Sequence, residues 1–206
     1  MTPGRTLTRP GSVFLSYTRG PADVAGWVTN VFEPLLVDHL RRNGVTGPLS
    51  VFRDETSLKP GEPWPAALQE ALRAADVLVP IFTPEYFTRP WCAAEFWTMY
   101  ERQRRGFACL VPVRFSDGDF FPEEARGLGW YDMQPRRGFS HACVRSRHQA
   151  PKGFIDLIDR MSQVIADRVS DQPPEDPGWR MASRPSEPAG GLAQPTWPEH
   201  DQEGEA

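Results

Sequence analysis

The chain has 206 residues, 39% of them hydrophobic with 12 Phe and 7 Trp, and 23 basic against 27 acidic side chains for a formal charge of −4. That length and apolar content suit one domain of ordinary size plus a tail. The charge argues against a general nucleic-acid binder, which needs a basic patch to neutralise phosphates. No apolar run approaches membrane-spanning length and the N-terminus leads into no apolar signal region, so no membrane partner and a cytoplasmic location are expected.

The run Ser12-Val13-Phe14-Leu15-Ser16-Tyr17 predicts a short strand buried on both faces. A turn, Thr18 to Pro21, leads into Val24, Trp27, Val28, Val31, Phe32, Leu35, Leu36 and Leu40, whose spacings of three and four predict one long amphipathic helix. Pro34 falls inside that pattern and predicts a kink or break. Asn43-Gly44 is a stop signal. A second strand is expected over 49–53, then a long loop from Asp54 to Pro63.

Trp64, Leu68, Ala71, Leu72 and Ala75 mark the inward face of a second helix over 64–75. Val77-Leu78-Val79-Pro80-Ile81-Phe82 predicts the third strand, Thr83 to Pro90 a loop, and a helix opens near Arg89-Pro90. A fourth strand is expected over 108–115, a turn over 116–119, and a short fifth strand over 130–133. Phe154, Leu157, Ile158, Met161, Ile165 and Val169 mark a last amphipathic helix. Strand and helix alternate, which predicts an α/β fold with a parallel sheet covered on both faces.

From Asp171 onward the composition shifts to seven prolines and eight acidic residues against two arginines. Such a segment buries too little apolar surface to offset its ordering entropy, so a disordered tail is expected. The expected division is a flexible N-terminus over 1–9, a domain over 10–170 and a Pro-rich acidic tail over 171–206. Cys92, Cys109 and Cys143 are odd in number and irregularly spaced, which suits a reducing compartment. His141, Cys143 and His148 match no standard zinc spacing, and no metal site is expected.

The candidate site is Trp91-Cys92-Ala93-Ala94-Glu95. On a helix opening near Pro90, positions 91 and 95 lie on one face about one turn apart. They follow a predicted parallel strand, at the sheet edge where open α/β folds bind ligands. Alone, W-x-x-x-E says little, because helix glutamates commonly face water. Cys92 has no histidine near it in sequence and reads as a small buried hydrophobe rather than a nucleophile.

Taken in order, Phe14-Leu15-Ser16-Tyr17, Phe52-Arg53-Asp54, Leu58-Lys59-Pro60-Gly61 and Trp91 to Glu95 resemble a TIR (Toll/interleukin-1 receptor) domain. The resemblance covers residues 10–170, and the stretch 111–122 is similar to the bacterial type. It implies a flavodoxin-like three-layer sandwich with a central, mostly parallel five-stranded sheet. In the family's enzymatic branch it implies cleavage of NAD, as substrate rather than cofactor, at the bond between nicotinamide and ribose. The catalytic glutamate of that branch falls on Glu95.

The same resemblance puts Ser16, Tyr17, Thr18 and Arg19 at the substrate edge, with Thr18 and Arg19 at positions that contact the dinucleotide and Arg19 placed to pair with its phosphates. Some enzymatic relatives carry two basic residues here, and Thr18 replaces the first. Lys59, Trp64 and Trp91 complete the implied substrate-binding set, the two tryptophans offering stacking surface. Asp54, Leu58, Pro60 and Gly61 fall in the family's BB loop, which gates the site and mediates packing between domains.

The implied function is an NAD nucleosidase yielding nicotinamide and ADP-ribose or a cyclic variant. It would be a signalling or antiviral defence effector activated by self-association, with other TIR domains and a separate sensor protein as partners. The alternative is a non-catalytic scaffold that binds other TIR domains. The glutamate of the W-x-x-x-E box favours the enzyme, because a scaffold has no chemical need of it. A nucleoside-processing transferase of similar sheet architecture is a third reading, against which the BB-loop match argues.

Overall fold

Two largely apolar runs build the centre of the sheet. β1 (Ser12–Tyr17) and β3 (Val77–Phe82) pair in parallel, from Val13 with Val77 to Tyr17 with Ile81. Every residue of β3 is buried, as expected of a central parallel strand covered on both faces. β2 (Ser50–Arg53) flanks β1, while β4 (Val113–Arg114) and β5 (Tyr131–Asp132) extend the sheet beyond β3. The order is β2-β1-β3-β4-β5 with every pairing parallel, the flavodoxin-like arrangement. This computed structural model describes residues 11–18, 22–43, 45, 50–53, 66–116, 118–119, 121–134, 148, 150–171 and 178–181.

Strand alternation divides the core into two layers. Val13, Leu15 and Tyr17 of β1, with Val77, Val79 and Ile81 of β3, face a first core. There they join Trp27, Phe32 and Leu36, together with Ile158 and Met161 of α6 (Lys152–Asp171). Phe14, Leu78 and Phe82 face the other way, into a second core with Leu72 of α3 (Ala66–Ala74) and Phe96 and Met99 of α4 (Pro90–Arg104). The result is the expected three-layer sandwich. A left-handed Gly106 (φ 100°) follows α4 and turns the chain toward β4.

The single long helix expected over 24–40 is three segments: α1 (Ala22–Trp27), a π-helical turn over Val28–Phe32, and α2 (Glu33–Arg42). Pro34 explains the break. It stands in the first turn of α2, and the widened π turn before it accommodates the proline's ring and missing N–H. Val28, Val31 and Phe32 stay buried through the π turn.

The expected fourth strand also contracts, to two residues plus an isolated bridge between Leu78 and Leu110. Leu78 turns both its N–H and its C=O toward the incoming chain, bonding Cys109 O at 2.8 Å and Val111 N at 2.9 Å. The next β3 residue on that side is Pro80, which has no N–H to give, so one rung is lost. Pairing resumes at Ile81–Val113 in the same register. On the far side, Arg114 and Asp132 are register partners joined by a 2.7 Å ion pair, and the guanidinium lies 5.2 Å over the Trp130 ring. Two further short elements are a 3₁₀ turn over Tyr86–Thr88, where a loop was expected, and α5 (Glu123–Arg126), for which no expectation was drawn. Beyond α6, Met181 packs against the second core with its sulfur 3.8 Å from Thr98 Oγ1. Among the described residues no helix is long and apolar enough to cross a membrane.

A polar seam joins α2 to α6. His39, buried, lies 3.0 Å through Nδ1 from Asp159 Oδ1, and Asn43 donates to Ser162 Oγ at 2.6 Å. The hydrogen bond from His39 is the main reason Asp159 sits below the ordinary aspartate value, with partial burial opposing it. A carboxylate whose folded pKa is depressed adds stability above its unfolded value and loses it as pH falls through the folded one. Asp159→Asn is therefore expected to lower stability modestly at pH 7. The gap to the wild type should close below about pH 4. Urea unfolding of both chains at neutral and acid pH measures this directly; a gap independent of pH would contradict it.

Candidate functional site

The strand order reverses between β1 and β3, and the carboxyl ends of these two strands border the crevice where doubly wound sheets take ligands. Four hydroxyl-bearing residues gather there. Ser16 belongs to β1, Thr18 follows it, Thr83 follows β3, and Tyr86 opens the 3₁₀ turn that leads to α4. All four are at most 2% exposed.

Glu95 comes to the same place from α4. Pro90 stands in the helix's first turn, and Arg89 at the N-cap adopts an extended backbone, which swings the chain from the 3₁₀ turn into the helix. Cys92, Ala93, Phe96 and Met99 turn the helix onto the second core, and Glu95 is carried inward with them to 1% exposure. Alternation along β1 aims Ser16 at the same layer as Phe14, toward α4. Ser16 Oγ accordingly donates to Glu95 Oε2 at 2.5 Å. The other carboxylate oxygen, Oε1, is also shut from solvent.

Two further hydroxyl contacts surround this pair. Tyr86 Oη lies 2.5 Å from Ser16 Oγ, and Thr18 Oγ1 lies 3.1 Å from Thr83 Oγ1. Burial pushes the Tyr86 phenol well above its ordinary value. Electrostatic repulsion from Cys92 and Glu95 pushes the same way, and the Ser16 contact opposes both. Its ring meets Phe82 at 5.3 Å and Phe87 at 5.1 Å, both edge-on.

Of the residues singled out from the sequence, Ser16 and Glu95 are in direct contact. Tyr17 is sent to the opposite face of the sheet, into the first core. Thr18 shares the crevice with Glu95 but pairs with Thr83. Trp91 is half-buried at the start of α4, one turn before Glu95. Arg19, Asp54, Leu58, Lys59, Pro60, Gly61 and Trp64 lie outside the described residues. Cys92 lies buried within the second core, among small and aromatic neighbours.

Tyr86 and Thr83 carry no signal in the periodicity of the sequence, since both stand in a strand-to-helix connection. The available hint was chemical: an aromatic with a polar tip, once buried, needs a hydrogen-bond partner. What the assembled group offers is a carboxyl group fixed among hydroxyls in a dry crevice at the sheet's ligand edge. Such a group suits a reaction that develops positive charge on substrate carbon.

The family model for the TIR domain matches residues 13–145. A curated protein of Brachypodium distachyon, a probable 2' cyclic ADP-D-ribose synthase called BdTIR, is 23% identical over 132 residues. That match takes in 64% of this chain and 57% of the relative's length. Among solved structures, the TIR domains of the activated Roq1 resistosome, which directly recognises the pathogen effector XopQ, align at 17% identity and TM-score 0.38. That alignment covers 76% of this chain and 84% of that one. The TIR domain of the Toll-related receptor TRR-2 of Hydra magnipapillata aligns at 19% identity and TM-score 0.39, over 59% and 82% of the two chains.

Proposed function

We propose that this chain, which belongs to the TIR domain family, cleaves NAD at the bond between nicotinamide and ribose, with Glu95 as the catalytic carboxylate. The observation that carries the reading is the burial of Glu95, 1% exposed, against the Ser16 hydroxyl at the carboxyl edge of β1 and β3. The similarity to a relative named as a probable cyclic ADP-ribose synthase supports the same chemistry, at 23% identity.

The reaction needs little from the protein beyond placement and charge. The electrons of the C–N bond leave with nicotinamide, which departs neutral, and positive charge spreads over ribose C1 and its ring oxygen as in glycoside cleavage. An ionised carboxylate held beside that ring stabilises the developing charge and orients the ribose hydroxyls. Water then adds at C1 and loses a proton, giving ADP-ribose. Attack by a nucleophile of the same molecule gives a cyclic product instead. Self-association, with one domain completing its neighbour's site through the 54–63 loop, belongs to this proposal as the means of activation.

The test is to incubate the protein with NAD over a range of concentrations, with and without a crowding agent, and to follow nicotinamide. Release that rises faster than protein concentration is the expected result, and product analysis then separates hydrolysis from cyclisation. Folded, associated protein that releases none would overturn the enzymatic reading in favour of a TIR scaffold.

A further inference from the structure

The three oxygens of Tyr86, Ser16 and Glu95 form a chain drawn from three separate elements. Oη to Oγ and Oγ to Oε2 are each 2.5 Å, between residues 70 and 79 positions apart in sequence. Its direction follows from counting protons. Ser16 has one, and gives it to the carboxylate, which when ionised only accepts. The contact between Tyr86 and Ser16 must then be made by the tyrosine's proton, which its buried phenol does not readily give up.

We propose that Tyr86, acting through Ser16, is a positioning residue that fixes the orientation of the Glu95 carboxylate and holds it ionised; this rests on the reaction proposed above. A donor to a carboxylate favours its charged form, and a donor that is itself accepting a hydrogen bond is polarised into a stronger one. The far end of the chain is rigid. The Tyr86 ring is wedged between Phe82 and Phe87, and its N–H bonds Thr83 O at 3.0 Å. Neither Ser16 nor Tyr86 is exposed at all, so both serve the carboxylate from behind rather than touching a substrate. The alternative is that Ser16 merely satisfies a buried tyrosine hydroxyl, in which case Glu95 would be indifferent to Tyr86.

Tyr86→Phe keeps the ring and removes the hydroxyl. For nicotinamide release it is expected to lower kcat about tenfold, with KM changed less than about twofold. The acid limb of the pH profile of kcat, which reports the ionisation of the essential carboxylate, should move to higher pH. Among the described residues, the titratable groups acting on Tyr86 are Cys92 and Glu95, both on α4. Cys92→Ala is expected to leave that limb where it is.

The double variant Tyr86→Phe with Ser16→Ala should be no slower than Ser16→Ala alone, because one broken relay cannot be broken twice. An unmoved acid limb, or losses that multiply in the double variant, would overturn the relay while leaving the enzymatic reading intact. A wild type that releases no nicotinamide overturns that reading and the relay with it. Should Tyr86→Phe lose its fold by thermal melting, Ser16→Ala, which removes one hydroxyl and no carbon, reads the same limb.

Discussion

Glu95→Gln is expected to reduce nicotinamide release from NAD by roughly a hundredfold to a thousandfold, while leaving the protein folded. The amide has nearly the shape of the carboxylate and keeps an oxygen able to accept from Ser16, so the packing beneath α4 survives. What disappears is the negative charge, in a setting 1% exposed where water does little to weaken its field. The loss corresponds to about 2.7–4 kcal/mol of transition-state stabilisation, the size seen when a single preorganised group is removed from an active site. The same substitution removes a buried charge, whose burial opposes folding. The variant is therefore expected to melt no lower than the wild type. Paired measurements of nicotinamide release and thermal unfolding check both halves. Equal release by the two chains would remove Glu95 from the chemistry, whatever the melting curves show.

Phe82→Ala is expected to destabilise the domain by roughly 3–5 kcal/mol. Its ring is fully buried at the end of β3 and touches four others, with centroids 5.3 Å from Tyr86, 5.1 Å from Phe87, 5.7 Å from Phe96 and 5.2 Å from Phe121. Deleting it removes the transfer energy of the side chain and leaves a hole that rings anchored on three separate segments cannot all relax to fill. The midpoint of thermal unfolding should fall by about 10 °C for a chain of this size. Phe87→Ala, at a half-buried ring of the same cluster, should lower it less. Calorimetry of the two variants orders them, and a larger drop for Phe87→Ala would contradict the account. Because Phe82 also braces Tyr86, its loss should reduce nicotinamide release below what the change in stability alone predicts.

The sheet's centre could be read from the chain because its signal is local. Residues 12–17 and 77–82 are runs of apolar side chains bounded by turn formers, and β1 and β3 occupy those spans end to end. The position of Glu95 was half legible. W-x-x-x-E placed it on a helix after a strand, but nothing local distinguishes a glutamate facing water from one turned into the sheet. The deciding facts are the neighbours Cys92, Phe96 and Met99, which choose the buried face, and the parity of Ser16 in β1. The π turn escaped notice because Val28, Val31 and Phe32 remain buried across it, so spacing alone looks helical. The shortened β4 depended on Pro80, whose missing donor matters only once β3 is known to have a partner on that side. Tyr86 was invisible to periodicity altogether, since its partner lies 70 residues away.

For the NAD cleavage proposed above, the burial of Glu95 sets a ceiling on turnover. Any substrate that is to meet this carboxylate must find a molecule in which the crevice has opened, so the observed rate is the intrinsic rate multiplied by the open fraction. An opening that requires about 4 kcal/mol leaves roughly one molecule in a thousand competent at any moment. A neighbour that binds only the opened form raises that fraction by mass action, in proportion to its concentration over its dissociation constant. Activity would then be governed by how many copies meet rather than by how fast each one works. A chain of this kind would be close to silent when scarce and active when crowded, without any change in its covalent structure.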